Sequence, residues 1–266
     1  MDKKTTVIIV AIIFVIAALV AGFYELTIDK ELEDKNNVEE TTKENKKITT
    51  TTKKEENLMD GITVNYHASI KISKDDNVIY FDPFKIDVSS NDADYIFITH
   101  SHYDHYSESD IKKVMKDGTK FIITSDLESK VINLGISKEN ILVVYPNEEY
   151  NIDDLEFETI PAYNINKTYH KKSYNWVGYN LNLNGIKYYV VGDSDVTEEL
   201  KNVKCDVIFI PVGGTYTMSD SEAASVVNEI KPSYSVPIHY GEVGSITNAE
   251  NFVNALNNDI KGVILK

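Results

Sequence analysis

Arginine is absent from this sequence of 266 residues, so the 27 basic residues are all lysines, and 42 acidic residues give a net charge of −15. Proteins commonly grip phosphates and guanine edges with the bidentate fork of arginine. An acidic chain without it disfavours nucleic acid as a partner. Cysteine occurs once, at Cys205, which excludes an intramolecular disulfide and any zinc module that needs two or more cysteines. A bound metal therefore depends on histidine and carboxylate ligands.

The amino terminus carries a long apolar run. Residues 5–24 contain no charged side chain over 20 positions, and residues 7–21 are all apolar. A helix of that length, at about 1.5 Å per residue, spans about 30 Å of hydrocarbon. Lys3 and Lys4 precede the run and acids follow it, which predicts a cytoplasmic amino terminus and an extracytoplasmic remainder. We expect an uncleaved membrane anchor over residues 1–24. A cleaved signal peptide, with secretion of the remainder, is the less favoured alternative.

Residues 25–57 form a second compositional segment. It contains ten acids, seven lysines and the threonine run Thr49–Thr52, with no repeating apolar face. This composition predicts a flexible, charged, Thr-rich linker. Residues 1–57 together carry nine lysines and eleven acids, which leaves a net charge of −13 on residues 58–266. The acidity therefore belongs to the predicted folded domain.

Short β-rich runs alternate with turn residues and a few helical patterns from Leu58 to the end of the chain. This alternation predicts one α/β domain over residues 58–266 that contains more than one sheet. Cap residues three positions before a carboxylate mark helix starts at Ser107 and Ser219. The predicted strands are 62–72, 78–81, 95–99, 120–124, 141–145, 155–160, 176–183, 186–191, 207–211, 234–237 and 263–265. The predicted helices are 107–116, 219–230 and 247–256.

A dense group of histidines follows the apolar run 95–99. It reads His100, His102, Asp104, His105, with the spacing His-x-His-x-Asp-His. A strand end that leads into a tight loop directs the first two histidines toward one point and the last two residues toward a second. Neutral imidazoles and a carboxylate suit Zn²⁺ first, with Mn²⁺ and Fe²⁺ as alternatives. A solvated polar loop is the competing interpretation.

Three later apolar runs also end in residues that can bind metal or substrate. The first leads into Gly192-Asp193, the second into 211–216, which ends at Tyr216, and the third into His239-Tyr240-Gly241. Side chains that follow strands project from the rim of a sheet, where function is commonly located. Each signal is weak alone, and together with the histidine group they predict one site.

These segments resemble the metallo-β-lactamase superfamily, and specifically its ascorbate-phosphate-lactonase-like branch of metal-dependent hydrolases. The resemblance spans residues 60–266, and its most specific part is the motif at 100–105. It also rests on Val64-Asn65-Tyr66-His67-Ala68-Ser69, Asp82-Pro83, Pro161-Ala162-Tyr163-Asn164, Gly192-Asp193 and His239-Tyr240-Gly241. The resemblance implies a four-layer αβ/βα sandwich with two divalent metal ions at one edge of the sheets.

The resemblance also implies a ligand set. His100 and His102 would hold the first metal, Asp104, His105 and His239 the second, and Asp193 would bridge the two. A water held between two cations ionises near neutral pH, so a bridging hydroxide is the implied nucleophile. Asp104 and Asp193 are the residues to which this scheme gives a direct catalytic role.

Several residues keep two interpretations. His67 lines the pocket or is a hydrogen-bonded structural histidine. Asp82 orients a ligand histidine or caps a turn before Pro83. Tyr216 and Tyr240 are expected near substrate, Asp195 is a weaker candidate for direct ligation, and Cys205 is expected to be a packing residue.

The third ligand of the first metal is the least secure assignment. His170 is the histidine left once the other five are placed, but it lies in the polar stretch 164–175. Asn164 is the alternative, because it closes a family segment. An amide oxygen is a poorer zinc ligand than imidazole, so His170 is favoured as ligand and Asn164 as a pocket residue.

The favoured function is a membrane-tethered dinuclear hydrolase acting on an ester, lactone or phosphodiester in a small-molecule or lipid-like substrate. The alternative is a tethered surface protein whose metal site is structural or binds a ligand without turnover. A filled coordination sphere with no open position would mark the alternative.

Overall fold

A computed structural model of the chain describes residues 58–74 and 76–265. These residues belong to one structural unit that begins at Leu58. The predicted anchor, 1–24, and linker, 25–57, lie outside the described residues. Within the described ranges, no helix has both the length and the apolar character needed to cross a bilayer.

Thirteen strands and five α-helices make up the described part of the chain. The strands are β1 (Ile62–Tyr66), β2 (Ser69–Lys74), β3 (Asn77–Phe81), β4 (Ala93–Phe97), β5 (Met115–Thr124), β6 (Ile141–Val144), β7 (Glu149–Ile152), β8 (Leu155–Pro161), β9 (Val177–Leu183), β10 (Ile186–Val190), β11 (Val207–Pro211), β12 (Tyr234–Ile238) and β13 (Lys261–Gly262). The helices are α1 (Glu108–Val114), α2 (Glu128–Asn133), α3 (Glu198–Lys201), α4 (Asp220–Ile230) and α5 (Ile246–Asn254).

The strands form two mixed sheets. The first has the order β1-β2-β3-β4-β5-β6 and the second the order β13-β12-β11-β10-β9-β8-β7. In the first sheet β3 to β6 are parallel, and in the second β10 to β13 are parallel. Because β2 is antiparallel to both of its neighbours, β1, β3 and β4 end at one edge of the first sheet. Strands β10, β11 and β12 likewise end at one edge of the second sheet.

Three apolar clusters hold the layers together. One lies between the sheets and contains Phe81 and Phe97 from the first sheet and Tyr179 and Phe209 from the second. A second joins the outer face of the second sheet to α4 and α5, and a third joins the outer face of the first sheet to α1 and α2. This layering confirms the predicted αβ/βα sandwich.

The structure divides one predicted strand. The run 62–72 is a hairpin of β1 and β2 that turns at His67-Ala68, and His67 adopts a left-handed backbone with φ of 56°. The turn lacks the glycine, asparagine or aspartate pair that commonly signals a hairpin. The sequence prediction also missed β7, α2 and α3, and it placed the last strand at 263–265 instead of β13.

Candidate metal centre

The candidate site lies where strand ends of both sheets meet. His67 follows β1, Asp82 follows β3, His100 follows β4, Asp193 follows β10 and His239 follows β12. The two edges are joined by backbone hydrogen bonds, in which the His239 amide donates to the His67 carbonyl at 2.9 Å and the Val177 amide to the Thr99 carbonyl at 3.3 Å. Residues far apart in sequence are thereby brought into contact.

The first cluster of ligand atoms contains His100, His102, His170 and Asp193. His100 Nε2 lies 3.1 Å from His102 Nδ1, and His170 Nε2 lies 3.2 Å from the same atom. Asp193 Oδ2 is 3.1 Å from His170 Nε2 and 3.9 Å from His100 Nε2. The structure therefore brings His170, and not Asn164, to the two histidines of the motif.

The second cluster contains His67, Asp104, His105 and His239. Asp104 Oδ2 lies 3.3 Å from His67 Nε2, 3.8 Å from His105 Nε2 and 3.9 Å from His239 Nε2. Asp193 also reaches this cluster, because its Oδ1 is 3.3 Å from His105 Nε2 and its Oδ2 is 3.0 Å from His239 Nε2. Asp193 thus contacts both clusters.

Sequence reasoning did not assign His67 to this ligand group. Its ring lies 3.9 Å from the ring of His239, and its Nδ1 is 3.5 Å from the carbonyl oxygen of Tyr240. A proton on Nδ1 leaves Nε2 free as a ligand atom. The sequence gives no sign that the run 62–72 is broken by a turn at His67, and it is this turn that points the His67 ring toward the site.

The second cluster is rich in buried polar atoms that have no hydrogen-bond partner. They include His67 Nε2, His105 Nε2 and His239 Nε2, and Oδ1 of the adjacent Asp193 is a fourth atom of this kind; His239 Nδ1 also has no partner. A buried polar atom without a partner costs about 1–3 kcal/mol. Four such atoms facing one point fit a bound cation, which would satisfy all of them together, and histidine with carboxylate is a donor set that binds divalent transition metals.

Asp82 organises the histidines from behind. The side chain is fully buried, and its carboxylate accepts hydrogen bonds from the Thr99 amide at 2.8 Å, the Thr99 hydroxyl at 2.6 Å and His105 Nδ1 at 2.7 Å. The Thr99 hydroxyl in turn lies 3.0 Å from His100 Nδ1. Because the ionised carboxylate only accepts, the chain of bonds places protons on both Nδ1 atoms and leaves both Nε2 atoms free.

Four of the site residues have a left-handed backbone: φ is 56° at His67, 44° at Asp82, 54° at His170 and 58° at His239. Such values are uncommon outside glycine and cluster at functional sites. Gly213 contributes by its size, because an added Cβ would lie 2.5 Å from the His239 carbonyl oxygen. The local backbone is thus shaped to aim these side chains.

Electrostatics differ among the histidines. Burial lowers the pKa of His100 well below its usual value and also lowers the pKa values of His67 and His102. Burial opposes protonation of His105 too, but the carboxylates of Asp193 and Asp82 outweigh it and hold the pKa of His105 well above its usual value. In the metal-free protein these carboxylates favour a second proton on His105, at Nε2, and a bound cation would take the place of that proton.

Both cluster carboxylates are held ionised. Burial raises the pKa of Asp104, but the imidazoles of His67, 3.3 Å away, and of the nearby His105 outweigh it and lower the pKa to about 2. Burial opposes ionisation of Asp193 as well, and His239 and His105 overcome it, so its pKa lies well below the usual value. Ionised carboxylates are the form that binds a cation.

The other predicted residues lie around the clusters. Asn164 Nδ2 donates to the Tyr216 carbonyl at 2.6 Å and lies 3.2 Å from His170 Nδ1. Asp195 is outside both clusters; it accepts from the Ile165 amide at 3.0 Å and pairs with Lys167. These contacts attach the loop that carries His170 to the loop that carries Asp193.

Two tyrosines and one tryptophan complete the surroundings. Tyr216 lines the groove above the clusters, whereas the Tyr240 side chain packs against the apolar cluster beneath α4 and α5. Tyr240 therefore contacts the site through its carbonyl, contrary to the expectation that its side chain lies near substrate. Trp176, which sequence reasoning missed, has its ring centre 4.7 Å from that of His100, in a tilted contact, and 4.9 Å from that of His102, in an edge-to-face contact. Cys205 packs against the same cluster as Tyr240, and burial raises its pKa to about 12.

A groove of about 290 Å³ opens over the clusters. Asp104 and His102 are partly exposed, while the other cluster residues are buried. The lining is His102, Tyr103, Asp104, Tyr169, His170, Asp193, Tyr216, His239, Glu242 and Val243. Ligand atoms of both clusters are therefore accessible from one side.

A family model described as a β-lactamase superfamily domain matches residues 61–239 of the chain, which is the stretch that carries the clusters. The chain belongs to the metallo-β-lactamase superfamily. It is similar to a UPF0173 metal-dependent hydrolase of Thermococcus onnurineus, with 28% identity over 181 residues that cover 66% of this chain and 80% of the relative.

Solved structures agree with this assignment. A crystal structure from Parabacteroides distasonis, assigned to the metal-dependent hydrolases, has a TM-score of 0.65 and 29% identity and covers 77% of this chain and 91% of that one. Igni18, a metallo hydrolase from Ignicoccus hospitalis, has the same fold, with a TM-score of 0.64, 19% identity and coverage of 77% and 94%. This metallo-β-lactamase superfamily member is a metal-dependent hydrolase with two candidate metal sites.

Proposed function

We propose that the protein is a dinuclear hydrolase that cleaves an ester, lactone or phosphodiester bond in a small-molecule or lipid-like substrate. The observation that carries the proposal is the pair of adjacent four-residue clusters, both contacted by Asp193. Two divalent ions bound there would supply a hydroxide nucleophile near neutral pH and an electrophile for the substrate oxygen.

The residues of the chain supply position and charge. His100, His102 and His170 would hold the first ion, and His67, Asp104, His105 and His239 the second. Asp193 lies between the clusters: its Oδ2 is close to His170 of the first and His239 of the second, and its Oδ1 is close to His105 of the second. Because the pKa of Asp104 is about 2, its role is that of a permanently charged ligand facing the groove and not that of a proton donor.

The exposure of the clusters to the groove favours a catalytic metal centre and disfavours a purely structural one. A structural site surrounds its ion with protein ligands, whereas a catalytic site keeps an open position. Here the side chain of Asp104 retains 14% of its surface, and His102 is also partly exposed. Substrate can therefore approach both clusters from the same side, which disfavours the alternative of a surface protein without turnover.

Zinc is the ion we propose first. Six histidines and two carboxylates make a nitrogen-rich donor set, and imidazole suits zinc, iron and copper better than magnesium or calcium. Mn²⁺ and Fe²⁺ are the alternatives. Metal analysis of the purified protein distinguishes them.

Location is part of the proposal as well. The apolar run at 5–24 and the lysines before it support a membrane anchor with the hydrolase domain outside the cytoplasm. Protease added to intact cells should release the domain by cleavage between residues 25 and 57. Digestion only after lysis would place the domain in the cytoplasm and refute this topology.

The test of catalysis uses Asp193→Ala in the full chain. Loss of the shared carboxylate should lower metal content from two ions to fewer than one and abolish hydrolysis of nitrophenyl esters and phosphodiesters. Asp92→Asn is the matched control, because Asp92 pairs with Lys71 and Tyr80 away from both clusters. Full activity in Asp193→Ala would refute the dinuclear mechanism.

A further inference from the structure

The walls of the groove carry no free positive charge. Its described lining contains no lysine, and the chain has no arginine. Lys85 and Lys167, whose ion-pair partners lie at or near the groove, are both paired. Lys85 pairs with Glu242, which lines the groove, and lies 4.3 Å from the ring centre of Tyr66.

Lys167, on the opposite side, pairs with Asp195 and donates to the Thr217 carbonyl at 2.7 Å. Its ammonium group is therefore directed into the loop contacts that support His170. Glu242 adds a negative charge to the groove wall. Apart from bound metal, the described lining offers no lysine to an anionic group on the substrate, and Glu242 stands in it as a carboxylate.

Among the described residues, the groove is lined by tyrosine side chains and not by lysines. Tyr169 and Tyr216 meet edge to face with ring centres 4.9 Å apart, and Tyr103 lies 6.0 Å from Phe84. Tyr103 is 69% exposed and Tyr169 50% exposed. Single exposed apolar residues are ordinary, but these tyrosines line one groove together with Val243. When an apolar group of a ligand covers exposed aromatic side chains, the burial of both surfaces stabilises the complex.

We infer that the substrate is an uncharged ester or lactone with an apolar arm that lies against Tyr169 and Tyr216, and that phosphate-bearing substrates are poor. The inference rests on the proposed hydrolase function and narrows its substrate class. In the reaction, the oxygen of water forms the new bond to the acyl carbon, the bond from that carbon to the leaving oxygen breaks, and a proton from water passes to that oxygen. An ester gives a carboxylic acid and an alcohol, and a lactone gives a single hydroxy acid. Specificity then differs from that of a phosphorylated-sugar lactonase.

The test compares kcat/KM for 4-nitrophenyl acetate, 4-nitrophenyl hexanoate and bis(4-nitrophenyl) phosphate, with the full-length, metal-loaded protein. Hexanoate adds four methylenes to the acyl group, and each half-buried methylene contributes a factor of about two. We expect kcat/KM for hexanoate to exceed that for acetate by about 16-fold. The phosphodiester, which is an anion, should fall at least about tenfold below hexanoate.

Variants locate the preference. Tyr169→Ala and Tyr216→Ala should each reduce the hexanoate-to-acetate ratio severalfold, while Tyr169→Phe should keep it, since the ring supplies the contact. Tyr145→Ala is the matched control: Tyr145 is 51% exposed but does not line the groove. Glu242→Gln should raise the relative rate on the phosphodiester about threefold, because it frees Lys85 from a partly screened ion pair.

The outcomes separate the inference from the function beneath it. Hydrolysis with equal or higher kcat/KM on the phosphodiester, or an unchanged ester ratio in both alanine variants, would overturn the inference and leave the hydrolase intact. Absence of hydrolysis of all three compounds, with two metals bound per chain, would overturn the proposed function and the inference with it.

Discussion

Substitution of Asp82 by asparagine should reveal how far this carboxylate controls the metal centre. In the wild type, Oδ2 accepts from both the Thr99 hydroxyl and His105 Nδ1. If the amide nitrogen of the introduced side chain replaces Oδ2, it donates to these groups and forces the proton of His105 onto Nε2. The Thr99 hydroxyl then donates to His100 Nδ1, so His100 also carries its proton on Nε2.

The opposite amide orientation is no better. It would set the amide nitrogen against the Thr99 backbone amide, which in the wild type donates to Oδ1 at 2.8 Å, and two donors would face each other. The first orientation therefore protonates the Nε2 atom of one histidine in each cluster, so that it cannot bind metal. The second orientation loses a buried hydrogen bond. Loss of such an orienting partner costs about 10–100-fold in metal affinity, or about 1.4–2.7 kcal/mol for each ion.

The assay is titration of the chelator-stripped full chain with Zn²⁺ in competition with a chromophoric chelator. Asp82→Asn should weaken both binding steps, since the hydrogen-bonded chain reaches His100 and His105, while Asp92→Asn should bind like the wild type. Circular dichroism controls for folding. Two zinc ions bound by Asp82→Asn with wild-type affinity would show that the tautomers are not set by Asp82.

Three further predictions concern packing, pH and ligand choice. Gly213→Ala should displace His239, because the new Cβ would lie 2.5 Å from its carbonyl oxygen; we expect a loss of about 1–3 kcal/mol in urea unfolding of the metal-free protein, and an unchanged midpoint would contradict the contact. The pKa of His105 is higher in the folded than in the unfolded protein, so protonation of His105 stabilises the metal-free fold. This stabilisation is complete below the unfolded pKa of about 6.5 and is lost as the pH rises through the folded pKa. The metal-free melting temperature should therefore fall as the pH rises above about 7, where histidines with lowered pKa are neutral in both states, while a flat profile would exclude this effect. His170→Ala should lose one metal preferentially and Asn164→Ala should retain two, as measured by elemental analysis; equal stoichiometry in wild type and His170→Ala would remove His170 as a ligand.

Local sequence was informative where one contiguous segment contains both the strand and the ligands. The strand β4 precedes the motif at 100–105 directly, so its apolar residues and its histidines identify a sheet edge and a metal site together. The same holds for Asp193 after β10 and His239 after β12. In each case a short, largely buried run identifies the strand, and the polar residues that follow it lie at the rim of the sheet.

Residues outside strand ends were harder to place. His170 lies in a polar loop, and its position depends on contacts of Asn164 and Asp195 with distant segments. His67 enters the second cluster through a hairpin turn that has no usual turn residues. Neither placement is encoded in a local period, because the His170 loop is held by hydrogen bonds to Tyr216 and Asp195 and His67 depends on a turn inside a continuous β-rich run.

The sequence by itself determined the superfamily, the two-sheet α/β architecture, the histidine and carboxylate character of the metal site and the acidity of the domain. The tertiary structure alone decided that His67 is close enough to Asp104 to join the second cluster, that Asp82 connects one histidine of each cluster, and that the Tyr240 side chain leaves the groove. It also decided that Lys85 and Lys167 are paired, so that the groove is aromatic and not cationic. The physical reason is that composition counts charges and rings, whereas binding depends on which of them fold against each other and which still face the solvent.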